Sequence, residues 1–218
     1  MMILIIIVLT IYANIRIENN YNKYSKINNK NNITGKEVAE KILIANNLTN
    51  IKVYEVNGHL TDHYNPNKQT INLSKDIYSK STIASAAVAA HEVGHAIQNK
   101  ENYKYYVLRT KLVPIVNLTS RIASILLFIS FILELYNLIN FAIIMLLFSL
   151  LFQLVTLPVE FDASKRGKEE LIKLSIINND EAHGVTKVLK AAAFTYVASF
   201  ISTALQILRL FLNTRKDD

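Results

Sequence analysis

No cysteine occurs among the 218 residues, which excludes a disulfide framework, a thiolate metal site and a cysteine nucleophile. Any metal ion must therefore be held by histidine, aspartate or glutamate. Glycine and proline are also scarce, at five and three, and no internal repeat or Pro/Gly-rich linker divides the chain. Charge is thin. Only 19% of residues are charged while 51% are hydrophobic, which argues against a purely water-soluble domain and against disorder over most of the length. The Asn- and Lys-rich stretch from Glu18 to Asn32 is the exception, and its composition predicts local mobility. Basic residues outnumber acidic ones, 24 − 17 = +7. No nucleic-acid motif accompanies that excess, and attraction to anionic lipid together with membrane topology accounts for it.

The apolar residues are gathered into four blocks. Met1 to Ala13 is apolar apart from Thr10, with no Lys or Arg before it and no A-x-A site after it, so it reads as an uncleaved anchor. Val113 to Leu135, Leu138 to Val159 and Ala191 to Leu212 are each long enough to cross a bilayer as a helix, which takes about 20 residues. Only Tyr136 and Asn137 separate the second and third blocks, which predicts a helical hairpin with a tight turn. The turn carries Glu134 and no base. By contrast, the connection from Arg16 to Lys111 and the one holding Lys165, Arg166, Lys168, Lys173 and Lys187 are basic, which places both on the cytoplasmic side. Arg209, Arg215 and Lys216 fall at a C-terminus that this topology puts outside.

The long first connection reads as a small α+β unit. Thr34 and Glu37 form a capping box for a helix that ends at Asn46-Asn47. Ile51 and Val53 alternate as in a strand, Asn57-Gly58 signals a hairpin, His59 to Tyr64 is the return strand, and Gln69 to Leu73 is a third strand after the Asn65-Pro66-Asn67 turn. An antiparallel meander is the expected arrangement. A helix capped by Ser81 or Thr82 follows, and its alanines from Ala84 to Ala90 permit close packing.

That helix carries His91-Glu92-Val93-Gly94-His95, the H-E-x-x-H pattern. Residues four apart share a helical face, so both imidazoles can reach one zinc ion while Glu92 projects beside them toward the water to be activated. Two solvated histidines on an ordinary helix would be the plain alternative, but the chain has only five histidines and the helix follows a sheet. Catalytic zinc takes three protein ligands. The third is expected in the compact acidic segment Leu157-Pro158-Val159-Glu160-Phe161-Asp162-Ala163-Ser164, on the same side of the membrane as the histidines.

Three separated stretches resemble the bacterial YugP-type membrane zinc metallopeptidases: Leu60 to Pro66, Ala89 to Gln98 and Leu154 to Ser164. The likeness continues into Ala191 to Ala198 and covers essentially the whole chain. The resemblance implies a zinc peptidase and names no substrate. More distantly, Glu160 to Ser164 is similar to the E-F-x-A-D segment of the HtpX-type membrane proteases, whose first glutamate is the third zinc ligand; here that position is Glu160, and Ser164 stands where the final aspartate would be. Asp162, where the family more often has asparagine, is two residues from Glu160, and on a helix the two cannot face one ion. The longer side chain favours Glu160.

His63, flanked by Asp62 and Tyr64, is read two ways, as a substrate or transition-state contact or as turn chemistry ahead of Asn65-Pro66. Tyr196, inside the fourth block, could line the site, although an ordinary core or interfacial tyrosine fits as well. His183 reads as a solvated surface residue. The expectation is thus a mainly α membrane protein with about four transmembrane helices and a small cytoplasmic, zincin-like α+β insert. Its parts are an anchor over 1–15, a metallopeptidase region over 16–112, a transmembrane hairpin over 113–159, the third-ligand segment and connection over 160–190, and a final span and tail over 191–218. The expected function is a gluzincin-like endopeptidase with one Zn2+, held by His91, His95 and Glu160, with Glu92 as the base. Its partners would be the lipid bilayer and a membrane-associated peptide or protein. Alternatives are a zinc-stabilised membrane scaffold and a site-2-type intramembrane protease; for the latter no L-D-G segment supplies the aspartate ligand.

Overall fold

The structure, a computed structural model, describes residues 1–135 and 137–214. Tyr136 of the expected hairpin turn and the basic tail residues Arg215 and Lys216 lie outside the described residues. The chain forms two compact units.

The first unit comprises Met1–Asn14, Val107–Pro158 and the described part of Phe194–Asp218. It is built from stretches of α1 (Met2–Tyr24), α5 (Lys104–Leu133), α6 (Asn137–Lys173) and α7 (Asn179–Thr214). All four helices are long and apolar enough to cross a membrane. Their outward side chains are apolar as well: Phe128 is 68% exposed and Phe131 84%, an arrangement suited to hydrocarbon and costly in water. Contacts between the helices include small polar pairs, as expected where apolar burial supplies no driving force. Ser120 and Ser149 share a hydrogen bond of 2.8 Å, and the Gln153 amide donates to Thr203 Oγ1 at 3.0 Å.

The second unit comprises Ile15–Tyr106 and Val159–Ala193. Helix α2 (Gly35–Ala45) has the expected capping box, with the Glu37 backbone N–H donating to Thr34 Oγ1 and the Thr34 N–H donating to the Glu37 carboxylate. Strands β1 (Lys52–Val56), β2 (His63–Asn65) and β3 (Thr70–Ser74) then form one sheet. Their order, β1-β3-β2, corrects the expected meander: β3 is central, parallel to β1 and antiparallel to β2. Gly58 does turn the chain, at φ +115°, but the loop it opens carries the chain past the position beside β1 to the opposite edge of the sheet. That leaves β3 as the strand with both fully buried side chains, Ile71 and Leu73. A one-turn helix α3 (Lys75–Ser79), which the sequence pattern did not signal, leads to α4 (Ile83–Lys100), capped by Thr82 as expected.

Helix α4 is the axis of this unit. Ala84, Ala86, Ala87, Ala89, Ala90 and Val93 are completely buried, so neighbours approach it almost to backbone contact. The Glu18 to Asn32 stretch is also ordered, contrary to its composition. α1 runs on through Tyr24, burying Tyr21 and Tyr24, and the polar residues after it find fixed partners. The Lys30 N–H donates to Glu181, and Asn31 donates to the carbonyls of Ser175 and Ile176. The apolar blocks predict helices that stop near their own ends, whereas α6 continues through Pro158 to Lys173 and α7 begins at Asn179. The 160–173 segment, expected as part of a connection, is therefore the C-terminal part of α6.

Candidate metal centre

His91 and His95 stand one turn apart on α4, and Glu160 reaches them from α6. The three offer ligand atoms that all lie within 4.8 Å of one another. His91 Nε2 is 3.3 Å and His95 Nε2 3.6 Å from the same Glu160 oxygen. Glu160 is 1% exposed and His95 7%. A carboxylate so deeply withdrawn from water needs positive charge beside it.

The close approach of α4 to α6 depends on two glycines. A Cβ on Gly94 would lie 2.4 Å from the Ala163 carbonyl oxygen, and one on Gly167 would lie 2.6 Å from the carbonyl oxygen of Ala90. Each helix thus presents a glycine to the other's backbone, Gly94 between the two histidines and Gly167 against the turn that begins at His91. No larger residue would let Glu160 come as near.

The hydrogen bonds around the donors fix their direction. Gln98 Nε2 donates to the Val159 carbonyl and to Asp162, both at 2.8 Å. Both partners only accept, so the amide oxygen must be the atom facing His95 Nδ1, at 3.0 Å. His95 therefore donates from Nδ1, which leaves Nε2 as the ring atom that faces Glu160 and is placed to serve as a ligand. Two imidazoles with one carboxylate are a fitting donor set for zinc. The residues present suit the ion. The second ring nitrogen of His91 is likewise engaged, 3.1 Å from Ser164 Oγ. Ser164, the departure from the acidic pattern, thus keeps a supporting contact in neutral form.

Glu92 points elsewhere. It is 7% exposed and its carboxylate accepts from the Tyr64 backbone N–H at 2.9 Å, which joins it to strand β2. Burial raises its pKa to about 7; His91 opposes the rise, and the nearby carboxylates Glu160 and Asp62 add to it. Such a group exchanges protons near neutrality. Asp62 is also pushed above its usual range by burial, against hydrogen bonds from the Ser74 N–H and hydroxyl.

Of the other residues singled out from sequence, Asp162 is half-buried and accepts from both Gln98 and Arg166. His63 is exposed, with its ring 2.9 Å from the Thr61 carbonyl oxygen and 3.2 Å from the Asn72 amide, and it is not one of the three grouped donors. Tyr196 belongs to the other unit and is 37% exposed. His183 is exposed, as expected. Gln98 went unnoticed as a functional residue, yet a signal was there: it lies three residues after His95 on the same helical face, and a buried amide must have partners.

The fold and the donor set together describe a helical protein with three grouped side chains that could hold a metal ion, a donor set of the kind used by zinc hydrolases. The family comparison gives the class a name: residues 1–215 match the family described as "Putative neutral zinc metallopeptidase", and the chain belongs to it. It is 42% identical over 213 residues to the "Putative membrane protease YugP" of Bacillus subtilis (strain 168), covering 96% of this chain and 95% of that one. No solved structure matches.

Proposed function

We propose that the protein is a membrane-anchored, zinc-dependent endopeptidase of the gluzincin type, with its active site on the cytoplasmic side. The observation that carries this reading is the convergence of His91, His95 and Glu160 on one point, with Glu92 next to it on the same helix. His91, His95 and Glu160 would hold one Zn2+, which when bound would polarise a scissile carbonyl and make water acidic enough to lose a proton at neutral pH. Glu92 would take that proton on its carboxylate and return it to the departing amine, a task suited to a pKa near 7. Gln98 and Ser164 hold the two rings in orientation from their outer nitrogens.

The substrate would enter as an extended segment along β2, an edge strand of the sheet whose Tyr64 N–H already meets Glu92. A peptide pairing there would bring its backbone beside the base. The helices with apolar outward faces favour a substrate that is itself membrane-associated. His63 and Tyr196 remain candidates for contacts to such a substrate.

Replacing the base tests the reading. Glu92→Gln should bind zinc stoichiometrically and lose hydrolysis of any protein found to accumulate in cells that make the variant. Cleavage at the wild-type rate by that variant would refute Glu92 as the base, and the absence of any protein that accumulates in cells making it would leave a zinc-stabilised scaffold in place of a peptidase.

A further inference from the structure

On the α6 side of the second unit, a groove of about 230 Å3 is lined by Phe161, Ser164, Lys165 and Lys168 of α6 and by Thr186, Leu189, Lys190 and Ala193 of α7. On each helix these residues follow the i, i+3, i+4, i+7 spacing of a single face. The floor is apolar and the rim is basic. Lys165 has one long, exposed pairing with Glu169 at 3.9 Å, whereas among the described residues Lys168 and Lys190 make no ion pair. Lys168 is nonetheless half-buried. Two lysines without a partner beside an apolar floor call for a ligand that is anionic at one end and apolar at the other.

The position of the groove along its helices narrows the choice. Lys165 and Lys168 lie within three turns after Val159, where the apolar block of α6 ends, and Lys190 immediately precedes Ala191, where that of α7 begins. On helices that cross a bilayer Lys190 stands at headgroup depth, and Lys165 and Lys168, about 9 and 14 Å of helix past Val159, stand just outside it, with long side chains that reach back toward that layer. Basic pockets between such helices at that level suit phosphate headgroups.

We propose that this groove binds the headgroup of an anionic phospholipid, with the phosphate held by Lys168 and Lys190, assisted by Lys165, and the upper part of the lipid resting on Phe161, Leu189 and Ala193. Lipid held there would not require peptidase activity.

The test uses the purified full-length protein in a neutral detergent, titrated with dioleoyl-phosphatidylglycerol or dioleoyl-phosphatidylcholine, with bound lipid read by native mass spectrometry. The wild type should prefer phosphatidylglycerol. Lys168→Gln with Lys190→Gln should weaken that lipid by roughly 30-fold, since each basic residue near a membrane surface contributes about a factor of five. The paired Lys→Arg replacements should keep the affinity, and so should Lys187→Gln, which alters an exposed lysine of α7 outside the groove. Retained preference in the double Gln variant, or an equal loss in Lys187→Gln, would overturn the proposal. So would displacement of the lipid by an equal concentration of inorganic phosphate, which would mark a free-anion site, or by a glutamate decapeptide, which would mark a site for acidic protein segments.

Discussion

Gly94→Ala offers the most direct test of how the candidate site is assembled. An alanine Cβ at this position would sit 2.4 Å from the Ala163 carbonyl oxygen, and ordinary contact begins at 3.4 Å, so one helix must retreat by 3.4 − 2.4 = 1.0 Å. The obstacle is backbone and cannot rotate aside. Glu160 is one turn from Ala163 on α6 and would be carried away with it. Metal–ligand distances tolerate about 0.2 Å, so a retreat of this size would deny Glu160 to a metal held by His91 and His95. Helix propensity acts in the opposite direction, because alanine in a helix is favoured over glycine by about 1 kcal/mol; a stabilising substitution in an isolated helix should therefore be damaging here. We expect zinc affinity, measured by competition with a fluorescent chelator on the solubilised full chain, to fall at least about 100-fold, beyond the loss typical of an outer-sphere contact. Gly167→Ala should behave alike, since its Cβ would meet Ala90 and His91 from the other helix. Gly184→Ala is the control. Its Cβ would press on the Tyr24 ring at 2.8 Å, away from the donors, so it should lower stability and spare affinity. Unchanged affinity in both the 94 and 167 variants, or an equal loss in the control, would refute the reasoning.

Three further outcomes are expected. Glu160→Gln should empty the metal site whereas Asp162→Asn should keep it, because an asparagine oxygen can still accept from Gln98; metal analysis showing the reverse would transfer the ligand role to Asp162. In metal-free protein the raised Glu92 pKa means that stability is fully present below pH 4.5 and is lost as pH rises to 7, by up to 7 − 4.5 = 2.5 units, or about 3 kcal/mol. Thermal melts in chelator at pH 5 and 7.5 should show Glu92→Gln gaining on the wild type by that order at the higher pH, and a pH-independent gap would contradict it. Finally, single cysteines introduced at Lys68 and Lys168 should resist an impermeant thiol reagent in intact cells while one at Asn137 reacts, and the inverse pattern would reverse the membrane orientation.

Where the sequence was informative, a local rule did the work. Thr34 and Thr82 cap their helices because capping is settled within four residues, and the histidine pair is set by helical periodicity alone. The sheet was misjudged because strand order is a long-range matter: Asn57-Gly58 specifies a turn but not which strand the chain meets after it. The Glu18 to Asn32 stretch misled for a related reason. Its asparagines look like those of a mobile segment until Ser175, Ile176 and Glu181, about 145 residues away, supply acceptors. Glu160 was reached through resemblance and side-chain length, and nothing near it in sequence announces that Gly94 and Gly167 let it approach.

Five side chains run in single file from water to the buried centre: Glu101, Arg166, Asp162, Gln98 and His95. Arg166 donates to both Glu101 and Asp162, Asp162 accepts from both Arg166 and Gln98, and the Gln98 amide oxygen faces His95, so the guanidinium at the surface end and the imidazole at the buried end are joined through one carboxylate and one amide. An event at the rim, such as a salt ion competing for Glu101, whose side chain is 53% exposed, or a neighbouring chain drawing Arg166 away, would loosen Asp162 and leave the Val159 carbonyl as the acceptor that keeps the Gln98 amide facing His95. The inner face of the site is thereby moored twice, once to a side chain that solvent can reach and once to backbone that it cannot.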